Sequence, residues 1–506
     1  MNHRNQTNRF KRLISLCLLL LAISSGNRAR AGYIHEWTFH ELAQKSDVLA
    51  TAQVISVTTL GPDEKASPGY PQLKRRATVR VLRAVASRGQ AVPAAGQELT
   101  VEFKSFDYAR IHVFINTMPG EMPDLAPGEI CVFPLRRPAQ DAQARAGGEW
   151  RILEGSGINL LTPALVQEPP KPAPSPGTSA GFDFLRWELA GVFAHGNDEQ
   201  ILQATERYYF AYWVGGSPLL NSFDLIEQNV HDEERWLSVA ASGLIASAQS
   251  TPRVPLRKLL SRPIQSSKWS EGERLEARIL AHVSKENIEA RLAQAVLRIS
   301  VTPDGKQNSG ASVLLLSDLA DQPQVRPAFE AGLKREDQGW IYATNWMSDK
   351  HNPLADVALA WAMQHLSDKV LSQPWNYCPI IRRWGSPRDI EALAARIERA
   401  RLSNATAYKS LLNASTSEDW SGRGQRQKPL PPSVWSHVLD DTSEYQADAP
   451  GWRWCDQAAV EIGRAANLGF SIRRGSQLTK RDQAVAKARA WRPGRRAHLK
   501  AALGTS

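Results

Sequence analysis

Ile288-Glu289-Ala290-Arg291-Leu292-Ala293-Gln294-Ala295-Val296-Leu297-Arg298-Ile299 decides how the chain is read. Wound at 3.6 residues per turn, it gathers Ile288, Leu292, Ala295, Val296 and Ile299 on one side and leaves charge on the other. The same pattern recurs on both sides of it. Ile201, Ala204, Thr205, Tyr208 and Tyr212 make one stripe. Trp236, Val239, Ala240, Gly243 and Leu244 make another. Leu354, Val357, Ala358, Trp361 and Ala362 follow, then Ile390, Leu393, Ala394 and Ile397. From Phe182 to about Asn413 no strand pattern interrupts them. Ser270 with Glu273 fits a capping box. Ser386-Pro387 sets a cap before a proline at the first helical position. Pro323 and Pro327 bracket a break, with a new start at Phe329.

A helix with one apolar stripe must stack on neighbours, and a succession of such hairpins makes a solenoid. The repeats are degenerate, with no fixed period and units on the order of 40 residues. In this respect residues 182–413 resemble HEAT-like or armadillo-like α-solenoids. An irregular helical bundle is the competing architecture.

Residues 1–31 read as a secretory signal. Arg4, Arg9, Lys11 and Arg12 precede the apolar run Leu13–Ile23, which is too short to span a bilayer. Ala29-Arg30-Ala31 offers a cleavage site, so the expectation is an exported chain, periplasmic or extracellular, with no transmembrane helix in its mature form. The net charge of +11 sits at the two ends. Removing the signal leaves +5, and Arg473–Lys500 holds ten Lys/Arg against Asp482 alone. The body between carries 46 Lys/Arg against 50 Asp/Glu. Specific nucleic-acid binding is therefore not expected, while the basic tail allows weak contact with an anionic surface.

Residues 32–166 read as a small antiparallel β-barrel, or a sandwich of the same strands. Thr38-Phe39-His40-Glu41 starts a short helix ending near Lys45. Strand-length runs follow at Val48–Val57, Thr78–Val81, Leu99–Lys104, Ile111–Ile115, Glu129–Phe133 and Trp150–Leu153. Glu41–Val48, the strand ending Val54-Ile55-Ser56-Val57, and Gly128-Glu129-Ile130-Cys131-Val132-Phe133 resemble an OB-type domain of exported bacterial proteins, similar in outline to netrin-like and metalloproteinase-inhibitor barrels. The inhibitors act through an N-terminal cysteine. Here the expected mature start is Gly32-Tyr33, which argues against carrying inhibition over. His35 and His40 stand five apart, not the four that a zinc helix needs to aim both rings at one metal.

A proline-rich linker is expected at 167–181, an irregular loop at 414–452, and a helical cap with a basic tail at 453–506. Trp452-Arg453-Trp454-Cys455-Asp456-Gln457-Ala458-Ala459, with Gly469-Phe470, Arg481-Asp482-Gln483-Ala484 and Arg489-Ala490-Trp491, resembles the C-terminal segment of exported HEAT-like-repeat proteins of planctomycete-type bacteria. Thr479 with Asp482 is expected to open the last helix.

No nucleophile elbow, phosphate loop or paired Cys-x-x-Cys occurs, so no catalytic residue, metal or cofactor is assigned. Trp435, Trp452 and Trp454, in a stretch read as loop, are the candidate binding aromatics. Cys378 and Cys455 are the pair that a disulfide would join. The function expected is non-catalytic recognition of an unknown protein or envelope polymer through the helical surface. The alternatives are a hydrolase of envelope polymers whose carboxylates meet only in the fold, or an inhibitor or adhesion module acting through the β-domain.

Overall fold

A computed structural model describes residues 38–502 apart from 67–70, 88–90, 108–124, 138–149, 154–160, 170–176, 210–217, 249–254, 262–269, 301–307, 345–346, 348–351, 367–368, 417–427, 446–450, 471 and 474–475. The signal segment, His35, the run Ile111–Ile115 and most of the proline-rich stretch lie outside the described residues. Two compact units divide the chain, Met1–Val239 and Ala240–Ser506.

The first unit opens with α1 (Phe39–Lys45), closed by the expected capping box: Glu41 N–H donates to Thr38 Oγ1 at 3.2 Å and Thr38 N–H to Glu41 Oε2 at 3.0 Å. A mixed sheet follows, with β1 (Val48–Pro62), β2 (Gln72–Ala86), β3 (Glu98–Phe106), β4 (Ile130–Arg136), β5 (Trp150–Ile152) and β6 (Thr162–Pro163). Leu99, Val101 and Phe103 alternate inward as their spacing requires, and they join Val48, Ala50, Val79, Val81, Phe133 and Leu135 in one core.

The pairings run β1-β2-β3-β5-β4, and β4 returns to β1, with β6 added beside β4. Not all of them are antiparallel. β3 and β5 run parallel, through Val101↔Trp150 and Glu102↔Arg151. The reason is parity. A circuit with an odd number of strands cannot alternate direction all the way round, so one pairing must be parallel.

Val48–Ala52 is buried on both faces of the sheet. α2 (Ala180–His195) lies against β1 and β2, and α1 packs against α2. A Cβ on Gly181 of α2 would lie 2.8 Å from Ser87 Oγ and 3.1 and 3.2 Å from Leu49 and Ala43, so the closeness of α2 depends on this glycine. An ion pair fixes this packing. Glu188 of α2, its carboxylate wholly buried, receives the Arg83 guanidinium from β2, and Arg83 also donates to the carbonyls of Leu165 and Val166. Burial raises the Glu188 pKa, opposed by Arg83. Below α2, Pro169 fills the space over Gly191, so the start of the proline-rich stretch is packed. Helices α3 (Asp198–Tyr209), α4 (Pro218–Asn229) and the first part of α5 (Glu233–Ser247) complete the unit. Tyr208 of α3 shares a 2.6 Å hydrogen bond with Thr162 of β6. The compact division therefore falls inside α5 and not at the prolines.

The second unit is helical. After the end of α5 come α6 (Leu256–Ser261), α7 (Glu271–Leu280), α8 (Ile288–Ile299), α9 (Ser309–Asp318), α10 (Val325–Lys334), α11 (Gln338–Ala343), α12 (Ala355–Gln364), α13 (Pro374–Trp384), α14 (Pro387–Ser403) and α15 (Ala405–Ala414). The caps at Ser270 and Ser386 are both present as full capping boxes. Pro327 does not precede the new helix. It occupies the first turn of α10, where its missing N–H breaks no bond. Each buried Leu, Ile or Val of these stripes stabilises by about 1.5–3 kcal/mol, so Leu292, Val296 and Ile299 suffice to hold α8 in place. α9 is different: Gly310 through Leu316 are all buried, so it has no outer face.

α16 (Pro432–Ser436), α17 (Trp454–Ala465) and α18 (Leu478–Ala502) end the chain. α18 starts at Leu478, which puts Thr479 inside the first turn. Asp482 is not its capping partner but bonds Arg453 at 2.6 Å.

Candidate binding surface

Helix starts in the second unit recur at similar intervals. First helices begin at 256, 288, 325, 355 and 387, and second helices at 271, 309, 338, 374 and 405, so each interval lies between 29 and 38 residues. Polar side chains bridge successive hairpins at the same spacing. Arg257 donates to Glu289 at 3.2 Å and reaches Asp321 at 2.5 Å. Gln324 donates to the Ala290 carbonyl at 2.9 Å, Asn352 to the Leu316 carbonyl at 2.8 Å, and Arg326 to both oxygens of Asp356 at 2.9 Å. These groups lie mostly in the first turns of α6, α8, α10 and α12 or just before them. Acids there meet the positive helix ends, and arginines from the preceding hairpin meet the acids.

A second constellation lies at the far ends of α10 and α12. Glu336 follows α10 with φ of 55°. It closes a Schellman turn, in which Glu336 N–H donates to the Leu333 carbonyl and Asp337 N–H to that of Gly332. Glycine is the usual residue there, and a cation is the usual charge. Glu336 is neither, and its carboxylate is held by Lys369 and lies 4.0 Å from His365 Nε2. His365 caps α12. Its Nδ1 is 2.8 Å from the Trp361 carbonyl, which only accepts, so Nδ1 is the donor and Nε2 faces the Glu336 carboxylate. The ring stacks on Tyr377 at 5.7 Å, and Tyr377 on Trp361 at 4.7 Å. Burial raises the Tyr377 pKa. Trp361 and Tyr377 are buried, leaving only the imidazole, the carboxylate and the Lys369 ammonium for a ligand.

The sequence pattern by itself does not assign this group. A signal exists, in that Lys334-Arg335-Glu336-Asp337 ends an apolar stripe with an acid where glycine or asparagine would be expected.

The expected site aromatics are not at a surface. Trp435, Trp452 and Trp454 are 0%, 2% and 5% exposed. Trp452 donates from Nε1 to Gln457 at 3.0 Å, and Trp454 meets Tyr445 edge-on at 4.6 Å. Their place in an aperiodic stretch predicts exposed aromatics, and the structure instead makes them the core of the C-terminal cap. The loop around them is short of apolar residues, so these indoles supply its packing. Cys378 and Cys455 are each a buried free thiol, not a disulfide. Burial pushes Cys378 up to about 11 and raises Cys455 also.

The motif around Trp452 acquires a physical meaning. Asp456, fully buried, accepts from Arg453 at 2.8 Å and from Arg481 of α18 at 2.9 Å. One carboxylate thus ties the loop, α17 and α18. Arg382 of α13 is likewise buried, and burial lowers its pKa. It donates to the carbonyls of Ser415 and Lys428.

Among the described residues no three His, Cys, Asp or Glu side chains converge as metal donors, and no helix is long and apolar enough to cross a membrane. No protein family, curated protein or solved structure matches the chain.

Proposed function

We propose that this chain is an exported, non-catalytic binding or scaffold protein. In this reading the strand circuit of the first unit is a small OB/netrin-like barrel. The hairpins from α6 to α15 form a HEAT-like solenoid whose outer surface recognises a protein or an envelope component. The observation behind it is the recurrence of helix starts at 29 to 38 residues, matched by side-chain bonds that link one hairpin to the next over 30 to 36 residues. Stacks of this kind build extended surface. The charged groups named above neutralise one another between helices, as in Arg257 with Glu289 and Asp321, whereas acid–base chemistry needs them converging on a substrate. The basic C-terminal helix adds weak contact with an anionic surface, and no cofactor is invoked.

The exposed candidates for contact are Trp375 of α13, 43% exposed, and the Lys369–Glu336–His365 group. The test immobilises the full chain and passes a bacterial envelope extract over it. The expected result is a component retained by the native chain and lost from Trp375→Ala or Lys369→Ala. Turnover of envelope polysaccharide without retention would select the hydrolase reading and end this one.

A further inference from the structure

Side chains bridge α10 and α12 at both ends, and the two ends differ in chemistry. At the starting end Arg326 holds both oxygens of Asp356 at 2.9 Å and also donates to the Pro353 carbonyl at 3.0 Å. A guanidinium keeps its charge at every working pH. At the far end Glu336, just past α10, faces His365, the residue that closes α12. Histidine is the side chain that ordinarily changes charge between about pH 5 and 8.

His365 stands between two acceptors. Nδ1 is 2.8 Å from the Trp361 carbonyl, and Nε2 is 4.0 Å from Glu336 Oε1. A neutral imidazole carries a single N–H. The carbonyl takes it, so the neutral ring turns a lone pair toward a carboxylate. A proton at Nε2 replaces that opposition with a donor facing an anion. It also places positive charge at the C-terminal end of α12, where the helix dipole favours a cation. Tyr377 of α13 stacks on the ring at 5.7 Å and stays neutral, since burial raises its pKa. Trp361 lies against it at 5.3 Å and carries no charge. Lys369 opposes the proton, because its ammonium is held on the same Glu336 oxygen. That side chain is 41% exposed against 20% for the imidazole, so water weakens its repulsion.

We propose that the α10–α12 seam is a clasp tightened by a proton on His365, so that mild acid draws its far end closed while the Arg326–Asp356 end stays formed. Protonation favours the closed seam, so closure strengthens as pH falls through the imidazole range and weakens as pH rises through it. Asp356, whose pKa lies below the ordinary 3.8, keeps its charge throughout that range. Nothing bound at the surface is needed for this closure.

The test follows amide hydrogen exchange of the full chain at about pH 7.5 and 5.5, each rate divided by that of the unstructured peptide at the same pH. The amides read are those of Glu336 and Asp337, in the turn after α10, and of Leu366, after α12. α8 serves as the reference. Protection at the two turns should rise about two- to fivefold on acidification while α8 stays constant. His365→Gln takes up no proton and should abolish the rise. Lys369→Met should enlarge it, since the opposing cation is gone, whereas a lysine with a purely structural role would leave the pH ratio unchanged. Glu336→Gln should shrink it, and decides the matter if His365→Gln fails to fold. Turns that do not respond in the native chain, a rise that survives His365→Gln, or an equal rise in α8 would each overturn the proposal.

Discussion

The two units are held in different ways. In the first, main-chain ladders join distant residues, with Val48 opposite Leu135 and Ala50 opposite Phe133. In the second, local hairpins form from adjacent sequence and are then stitched together by individual side chains such as Arg326, Gln324, Asn352 and Asp456. A ladder distributes its energy over many modest bonds, each worth about 0.5–1.5 kcal/mol net. A stitch concentrates it in one group. The helical unit should therefore be the more vulnerable to single polar substitutions.

The largest expected effect is at Asp456. Asp456→Ala takes one shared carboxylate from two guanidinium groups, leaving Arg453 with Asp482 and Arg481 with the Gly451 carbonyl, and should cost about 3–5 kcal/mol in urea unfolding. Glu188→Ala is its counterpart in the sheet unit. There Arg83 keeps its two carbonyl partners, so about half that loss is expected. Equal losses would erase the contrast. Next comes Gly332→Ala in α10. An added Cβ would overlap the indole of Trp340, which is 1% exposed and has nowhere to go, for about 1–3 kcal/mol. A thermal melt unchanged by that substitution would show that α10 and α11 pack more loosely than described.

Acid should separate the units more gently. Burial acts to raise the Asp356 pKa, but Arg326 outweighs it and holds the group below its ordinary 3.8. At Asp441 burial is likewise outweighed by Lys409 and Ser443. A lowered folded pKa means the contribution is complete above the unfolded value and is lost as pH falls through the folded one, below about 4. Asp63 follows the same sign at the β1–β2 hairpin, where Lys104 and Lys74 overcome burial. Glu188 has the opposite sign. Its raised folded pKa makes ionisation costly above that value, and acidification relieves the cost. Hydrogen exchange between about pH 6 and 3 should show α10 and α12 loosening before the α2–sheet contact. The smallest effect is expected at Glu336→Gly. Relief of the left-handed backbone, about 1 kcal/mol, offsets loss of an exposed ion pair worth about as much or less. Stability should stay within about 1 kcal/mol, so a loss of ligand retention in this variant would report on binding alone.

Much of the architecture was readable because it depends on local rules. Thr38, Ser270 and Ser386 announce helices through hydroxyl caps, and Leu99, Val101 and Phe103 declare a face through a period of two. The parallel β3–β5 pair was not readable, since it is dictated by how many strands the circuit holds. α9 was not readable as an amphipathic helix because it buries every side. The tryptophans misled for a related reason. A segment without periodicity predicts surface, yet irregular backbone is buried here because large side chains such as Trp435 and Trp452 anchor it. The Glu336 group requires knowing that α10 and α12 end side by side.

The odd ring of strands has a kinetic consequence. Zipping outward from the β1–β2 turn can add β3, and β4 can join the other side of β1, but β5 must then come back against Val101 to close the ring. That closure costs chain entropy before its bonds repay it. Hairpins such as α12–α13 owe no such debt to distance. When the chain refolds, its carboxyl-terminal half should reach order while the amino-terminal half is still searching for its last seam.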